Sequence, residues 1–205
     1  VTQSTNIGTV ILAAGSSSRL GRPKQLLQYQ NTTLMQRIID IVIPFNFATS
    51  VVILGANADQ IRENTNFESV TAIYNEHWSE GIASSVRTGV SESIKLNAAL
   101  DSILFLLSDQ PFVSAELIRE LIEKHESGNQ RITACSYNQN VGVPAIFPKR
   151  FFPKLKELTG DVGAKKIIMQ QSEMVDEVAF KKGNFDIDTS EDYKQLQNNQ
   201  YDFND

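Results

Sequence analysis

Ser102-Ile103-Leu104-Phe105-Leu106-Leu107-Ser108-Asp109-Gln110-Pro111 is the stretch on which the fold turns. Ile103 to Leu107 is apolar without a break and stops at a turn sequence. A strand with one face in water alternates between polar and apolar residues, whereas an uninterrupted run is covered on both faces, as in the middle of a parallel sheet. Working outward, the same kind of segment recurs. Thr9-Val10-Ile11-Leu12 runs into Ala13-Ala14-Gly15, Ser50 to Leu54 ends at Gly55, and Val70 to Tyr74 reads as a further strand. Between the strands the apolar residues fall at helical spacing: Leu34, Ile38, Ile41 and Val42 before Pro44, then Ile82, Val86, Val90 and Ile94 in a helix from Ile82 to Lys95. A polar helix is expected near Asp59 to Asn64. Another is capped by Ser114, with Leu117, Ile118, Leu121 and Ile122 inward and Gly128 at its end.

Strands alternating with helices predict an α/β fold of three α/β/α layers, Rossmann-like, with a mostly parallel sheet and binding residues gathered at the carboxyl ends of the strands. After Arg131 to Tyr137 the pattern is less regular, with a strand at Val143 to Phe147 and a short helix at Phe151 to Leu158. The 205 residues suit a single domain, 1–205, and residues 198–205 read as a polar tail.

Composition narrows the function. With 41% hydrophobic and 21% charged residues the chain is an ordinary globular one. No apolar run approaches the roughly 20 residues that span a bilayer, and Val1 to Leu12 lacks the pattern of a secretory signal. The lone Cys135 can form no internal disulfide and belongs to no zinc-binding pair, which fits the cytoplasm. A formal net charge of -5 and the lack of a dense Lys/Arg run exclude a broad nucleic-acid surface. His77 and His125 have no partner at metal spacing and read as surface or structural residues.

Leu12-Ala13-Ala14-Gly15-Ser16-Ser17-Ser18-Arg19-Leu20-Gly21-Arg22-Pro23-Lys24 is different. Small residues directly after a strand let a ligand approach the backbone, and the amides of a Gly/Ser-rich turn can point at oxyanions. Arg19 offers two parallel hydrogen bonds to phosphate and Lys24 a compact charge. The loop carries neither a Walker sequence nor the dinucleotide fingerprint, and on composition alone a solvated surface loop is the competing reading. Asp109 follows the apolar strand, so its carboxylate emerges at the same sheet edge, where it is placed either to hold a hard cation or to cap the turn before Pro111.

The thirteen-residue loop resembles the signature of MobA-like nucleotidyltransferases, those of the molybdenum cofactor type. The resemblance runs from about Val10 to Asp192 and implies a nucleotide-diphospho-sugar transferase-like fold. It places nucleotide binding in about 7–110, on Leu12, Ala13, Ala14, Gly15, Arg19 and Lys24, with Asn75, Gly81, Ser84 and Ser85 closing over base and sugar. The serines also suit ordinary first-turn helix chemistry. It implies magnesium on Asp109, within Ser-Asp-Gln-Pro, and on Asp188, with Asp186 as the other candidate; helix capping by Asp188, Thr189 and Ser190 is the plain alternative. Gly142, Pro144, Gly160, Asp161 and Gly163 resemble the acceptor-side motifs, in about 111–197. Two departures stand out: Leu20 where relatives carry methionine, a volume-conserving change, and Lys165 where they carry arginine, which loses the bidentate fork.

Ala14, where the guanylyl-transferring branch has a second glycine, and Ser108 before Asp109 are similar to the cytidylyltransferases. The expected reaction is transfer of CMP from CTP to molybdopterin, giving molybdopterin cytosine dinucleotide for a molybdenum hydroxylase such as a xanthine dehydrogenase. Guanylyl transfer, transfer to a sugar phosphate or other small phosphorylated acceptor, and a non-catalytic cofactor carrier are the alternatives.

Overall fold

The computed structural model describes residues 6–198. Strand β1 (Ile7–Ala13) is buried along its whole length. It leads through the glycine loop and a single 3-10 turn to a small hairpin, β2 (Gln28–Tyr29) and β3 (Thr32–Thr33), that sits apart from the main sheet. Then follow α1 (Leu34–Val42), β4 (Thr49–Leu54), α2 (Ala58–Glu63), β5 (Thr71–Tyr74), α3 (Ile82–Leu96), β6 (Ser102–Leu107) and α4 (Ala115–Ser127). The second half adds β7 (Ile132–Tyr137), β8 (Asn140–Pro148), α5 (Phe152–Lys156), α6 (Lys165–Gln170), β9 (Val175–Ala179) and α7 (Ser190–Gln197). The polar tail expected over residues 198–205 lies, beyond Asn198, outside the described residues.

Seven strands form one sheet in the order β5-β4-β1-β6-β8-β7-β9. β5, β4, β1 and β6 are mutually parallel, β8 runs antiparallel to both β6 and β7, and β9 is parallel to β7. Along β1 the side chains alternate between two cores. Val10 and Leu12 join Val86 and Val90 of α3, Phe152 and Leu155 of α5, and Ile167 and Ile168 of α6. Ile11 and Ala13 join Met35, Ile38, Ile39 and Val42 of α1, Ile61 of α2, and Leu117, Ile118 and Leu121 of α4. Burial on both faces is what the uninterrupted apolar strands require, and it makes the fold three-layered, α/β/α and Rossmann-like.

Local chemistry sets the helix starts. Thr33 accepts from the Gln36 amide at 3.1 Å and Ser114 from the Leu117 amide at 3.3 Å. The inward stripe of α1 is fuller than its spacing suggests: Met35 and Ile39 are fully buried, while Ile41 lies at the margin of the core. His125, a structural residue as its sequence context suggests, is buried beneath the sheet, 2.7 Å from the Ser102 hydroxyl and 3.3 Å from that of Thr133. Burial lowers its pKa, so it is neutral in the fold. Cys135 is buried, and desolvation holds its thiol protonated.

Candidate functional site

The strand order changes direction at β1, which has β4 on one side and β6 on the other. A crevice opens at such a switch point, beyond the carboxyl ends of the strands. Here it is a cavity of about 520 Å³, lined by Leu12, Ala13, Ala14, Gly15 and Ser16 from the end of β1 and its loop, and by Leu107, Ser108 and Asp109 from the end of β6. Lys24 and Gln25 close one side, Trp78 to Ile82 and Ser85 another, and Asp161 stands at the rim.

Two glycines shape this wall. Gly81 has φ of 106° and ψ of 178°, a conformation essentially reserved for glycine. A Cβ there would lie 2.6 Å from the Gly160 carbonyl oxygen, so the segments around Gly81 and Gly160 pack backbone to backbone. The Ala83 amide donates to the same carbonyl at 3.2 Å. A Cβ on Gly15 would meet no protein atom within 4 Å, which leaves the space over that residue open to the cavity.

At the cavity's charged end, residues far apart in sequence converge. The Lys24 ammonium donates to Asp109 Oδ2 and, at 3.0 Å, to Asp188 Oδ1. Arg19 donates to the other oxygen of Asp188 at 2.7 Å. Burial works to lower the Lys24 pKa, but the charges and hydrogen bonds of Asp109 and Asp188 outweigh it and raise the value. Burial likewise opposes ionisation of Asp188, yet the Lys24 contact, followed by Arg19, holds its carboxyl below the ordinary value. Thr189, not Asp188, caps α7: its hydroxyl accepts from the Asp192 amide at 3.2 Å and the Asp192 carboxylate accepts from the Thr189 amide at 2.7 Å. Asp188 is thereby free to face the site.

Asp186 joins the cluster. The residue is exposed to solvent at the edge of the cluster; partial burial, then the negative charge of Asp109, push its pKa up to about 7, with Lys24 and a hydrogen bond from Gln110 pulling the other way. Asp109, Asp186 and Asp188 thus stand against the two cations Lys24 and Arg19, an excess of carboxylates over cations. Hard oxygen donors in electronegative excess suit a divalent cation that takes one or two carboxylates and completes its shell with phosphate oxygens and water. Among the described residues no group of three or more His, Cys, Asp or Glu forms a complete metal cage, so the protein would supply only part of that shell.

Other expected residues lie elsewhere. Asn75 and Ser84 are buried behind the cavity wall: Asn75 Nδ2 donates to Ser84 Oγ at 2.8 Å and to Ser85 Oγ at 3.1 Å, and its Oδ1 accepts from the His77 amide at 3.0 Å, which ties the end of β5 to the start of α3. Of the residues expected on the acceptor side only Asp161 lines the cavity. Gly160 supports Gly81, Gly163 packs on Ile82, and Gly142 and Pro144 are buried within β8. Lys165 donates to Asn140 Oδ1 at 3.2 Å and borders a separate hollow of about 300 Å³. Two cavity residues had no signal of their own in the sequence. Gln25, fully buried, donates from Nε2 to the Ala13 carbonyl at 2.8 Å and the Gly15 carbonyl at 3.4 Å, pinning the glycine loop. Trp78, the lone tryptophan, forms part of the wall facing the loop.

The sequence pattern of the MobA-like NTP transferase domain matches residues 9–175. The chain belongs to that family. Similar proteins include one named nicotine blue oxidoreductase from Paenarthrobacter nicotinovorans, 30% identical over 198 residues that span 91% of this chain and 94% of that protein. A molybdenum cofactor guanylyltransferase of Vibrio cholerae is 25% identical over 174 residues, 83% of this chain and 79% of that one. Among solved structures, that of Rv0371c from Mycobacterium tuberculosis superposes with a TM-score of 0.83 at 31% identity, covering 95% of this chain and 98% of that chain. A structure of Rv0371C in complex with manganese gives a TM-score of 0.78 at 29% identity, covering 94% and 98%.

Proposed function

We propose that this member of the MobA-like NTP transferase family is a cytidylyltransferase: it transfers CMP from CTP to the phosphate of molybdenum-carrying molybdopterin and releases pyrophosphate. The observation that carries the reading is the meeting of Arg19, Lys24, Asp109 and Asp188 beside a glycine-loop cavity. Ala13, Ala14 and Gly15 present the backbone to the nucleotide, and Arg19 and Lys24 neutralise its triphosphate. The acceptor enters from the rim at Asp161. One oxygen of its phosphate forms a bond to the α-phosphorus as the bond to the β-phosphate bridge breaks, and pyrophosphate leaves with the electron pair. A phosphate monoester is already anionic near neutral pH, so positioning and charge neutralisation supply the catalysis without a base. Asp109 and Asp188 would hold magnesium, which adds positive charge where negative charge gathers on the phosphates. Residues 7–110 serve the nucleotide and 111–197 the acceptor, within one domain working in the cytoplasm, and a molybdenum hydroxylase receives the product.

Ala14 and Ser108 favour CTP over GTP, and the cofactor acceptor is favoured by the name of the Vibrio relative. The oxidoreductase name of the Paenarthrobacter relative favours a second reading, a redox enzyme on the same frame. Pyrophosphate release measured with each of the four nucleoside triphosphates, with and without molybdopterin and magnesium, separates these. Release with CTP, molybdopterin and magnesium together is expected. Release with GTP instead moves the assignment to the guanylyl branch, and release with a sugar phosphate changes the acceptor. No turnover with tight cofactor binding identifies a carrier, and reduction of nicotine blue by an added electron donor, followed separately, supports the redox reading.

A further inference from the structure

The two carboxylates assigned to the divalent cation are already bridged by one cation of the protein's own. The Lys24 ammonium contacts Asp109 Oδ2 and lies 3.0 Å from Asp188 Oδ1, and the Lys24 and Asp109 side chains are only 15% and 14% exposed. Arg19, on the remaining Asp188 oxygen, is 70% exposed and easily displaced. An ammonium and a divalent ion compete for the same oxygen lone pairs, and as like charges they disfavour each other at contact distance. The backbone beneath Lys24 is fixed by Pro23, by the 3-10 turn Lys24–Leu26 and by a 3.0 Å bond from the Lys24 amide to Ser17 Oγ. Only the flexible side chain can move. It lines the same cavity as Gly15 and Ser16, so the ammonium can turn to an anion on the glycine loop while the main chain stays in place.

We infer that Lys24 is an internal placeholder for the divalent cation, held between Asp109 and Asp188 until a triphosphate draws its ammonium away, so that metal and nucleotide bind with positive coupling through this one side chain. The inference rests on the nucleotidyltransferase reading and concerns how its site is loaded. By linkage the coupling is reciprocal: each ligand tightens the other by the same factor. Without Lys24 the carboxylates are open to metal in the absence of nucleotide.

The first test uses Mn2+ and protein alone. Mn2+ binding is measured by electron paramagnetic resonance of the free ion for the wild type, Lys24→Met, and Lys24→Met combined with Asp109→Asn, with circular dichroism to check folding. Lys24→Met is expected to bind Mn2+ about tenfold tighter than the wild type or better, and the double variant to lose that gain. Unchanged or weaker Mn2+ binding by folded Lys24→Met overturns the inference. Should Lys24→Met not fold, the wild type itself decides: acetylation of Lys24, followed by peptide mass mapping, is expected to quicken in MgCl2 relative to NaCl of equal ionic strength, with the other lysines as controls. An equal rate in the two salts refutes the placeholder. Neither readout involves turnover, so such a failure leaves the proposed reaction standing, whereas absence of triphosphate turnover strikes that reaction and leaves these measurements unaffected.

Discussion

Alanine at the two cavity glycines should separate folding from binding. At Gly81 the backbone sits at φ 106°, ψ 178°, where a side chain costs about 1–3 kcal/mol. The added methyl would also lie 2.6 Å from the Gly160 oxygen and 2.8 Å from the Asp161 Cα. Those atoms are backbone, and the Gly160 carbonyl is engaged by the Ala83 amide, so relief requires moving a wall of the cavity; overpacking of this kind costs about 1–3 kcal/mol more. Gly81→Ala should therefore lose about 2–6 kcal/mol, which for a chain of this size lowers the melting temperature by roughly 4–24 °C. Gly15 offers the contrast. Its methyl would meet no protein atom within 4 Å, so Gly15→Ala should keep or slightly raise stability, by up to about 1 kcal/mol. On the proposed function it places a methyl where the nucleotide would approach, and KM for the triphosphate should rise about tenfold or more. Thermal melts and saturation kinetics on both variants check the pair. Gly81→Ala melting within about 2 °C of the wild type would refute the account of the wall, and an unchanged KM in Gly15→Ala would remove the nucleotide from the loop.

Asp109→Asn should retain its fold and lose about 100-fold or more of its pyrophosphate release, since a preorganised charge is removed where the proposed reaction would gather the phosphates; wild-type rates would cancel the role given to this carboxylate. For Asp186 the folded pKa of about 7 lies above the ordinary 3.8, so its contribution to stability is complete below pH 4 or so and is lost as pH rises towards 7. Asp186→Asn should accordingly be more stable than the wild type at pH 8, by about 1 kcal/mol once solvent screening of this part-exposed residue is allowed for, and show a smaller advantage at pH 5. Urea unfolding at the two pH values decides, and an advantage confined to pH 5 contradicts the assignment. Trp78 is the lone tryptophan and lines the cavity, so CTP should change the intrinsic fluorescence of the wild type and leave Trp78→Phe silent. A wild-type signal that stays flat at saturating CTP would move the nucleotide off this wall.

Strands β1, β4 and β6 and helices α3 and α4 were legible because local chemistry specifies each: β-branched or apolar runs closed by Gly or a turn, and a serine before an amphipathic helix. The second half was less legible. The reversed direction of β8 and its pairing with β6 depend on the partner strand, and β9, with the partly exposed sequence Val175–Ala179, carries no apolar run to announce it. In the site, the small residues, cations and aspartates could be named from the chain, since few residue types bind phosphate or a hard ion. The sequence also allowed Asp188 to be read as a helix cap, and the capping box formed by Thr189 and Asp192 left it to the site instead.

By itself the sequence determined the layered α/β class and the inventory of charged groups beside a glycine loop, because periodicity and residue chemistry are local properties. Only the tertiary structure decided that Lys24 meets Asp109 and Asp188, 85 and 164 positions away, that Asn75 and Ser84 lie behind the cavity and Asp161 at its rim, and that Gln25 pins the loop. Strand order brings the ends of β1 and β6 together, and packing fixes which way each side chain turns, and neither is encoded within a window of neighbouring residues.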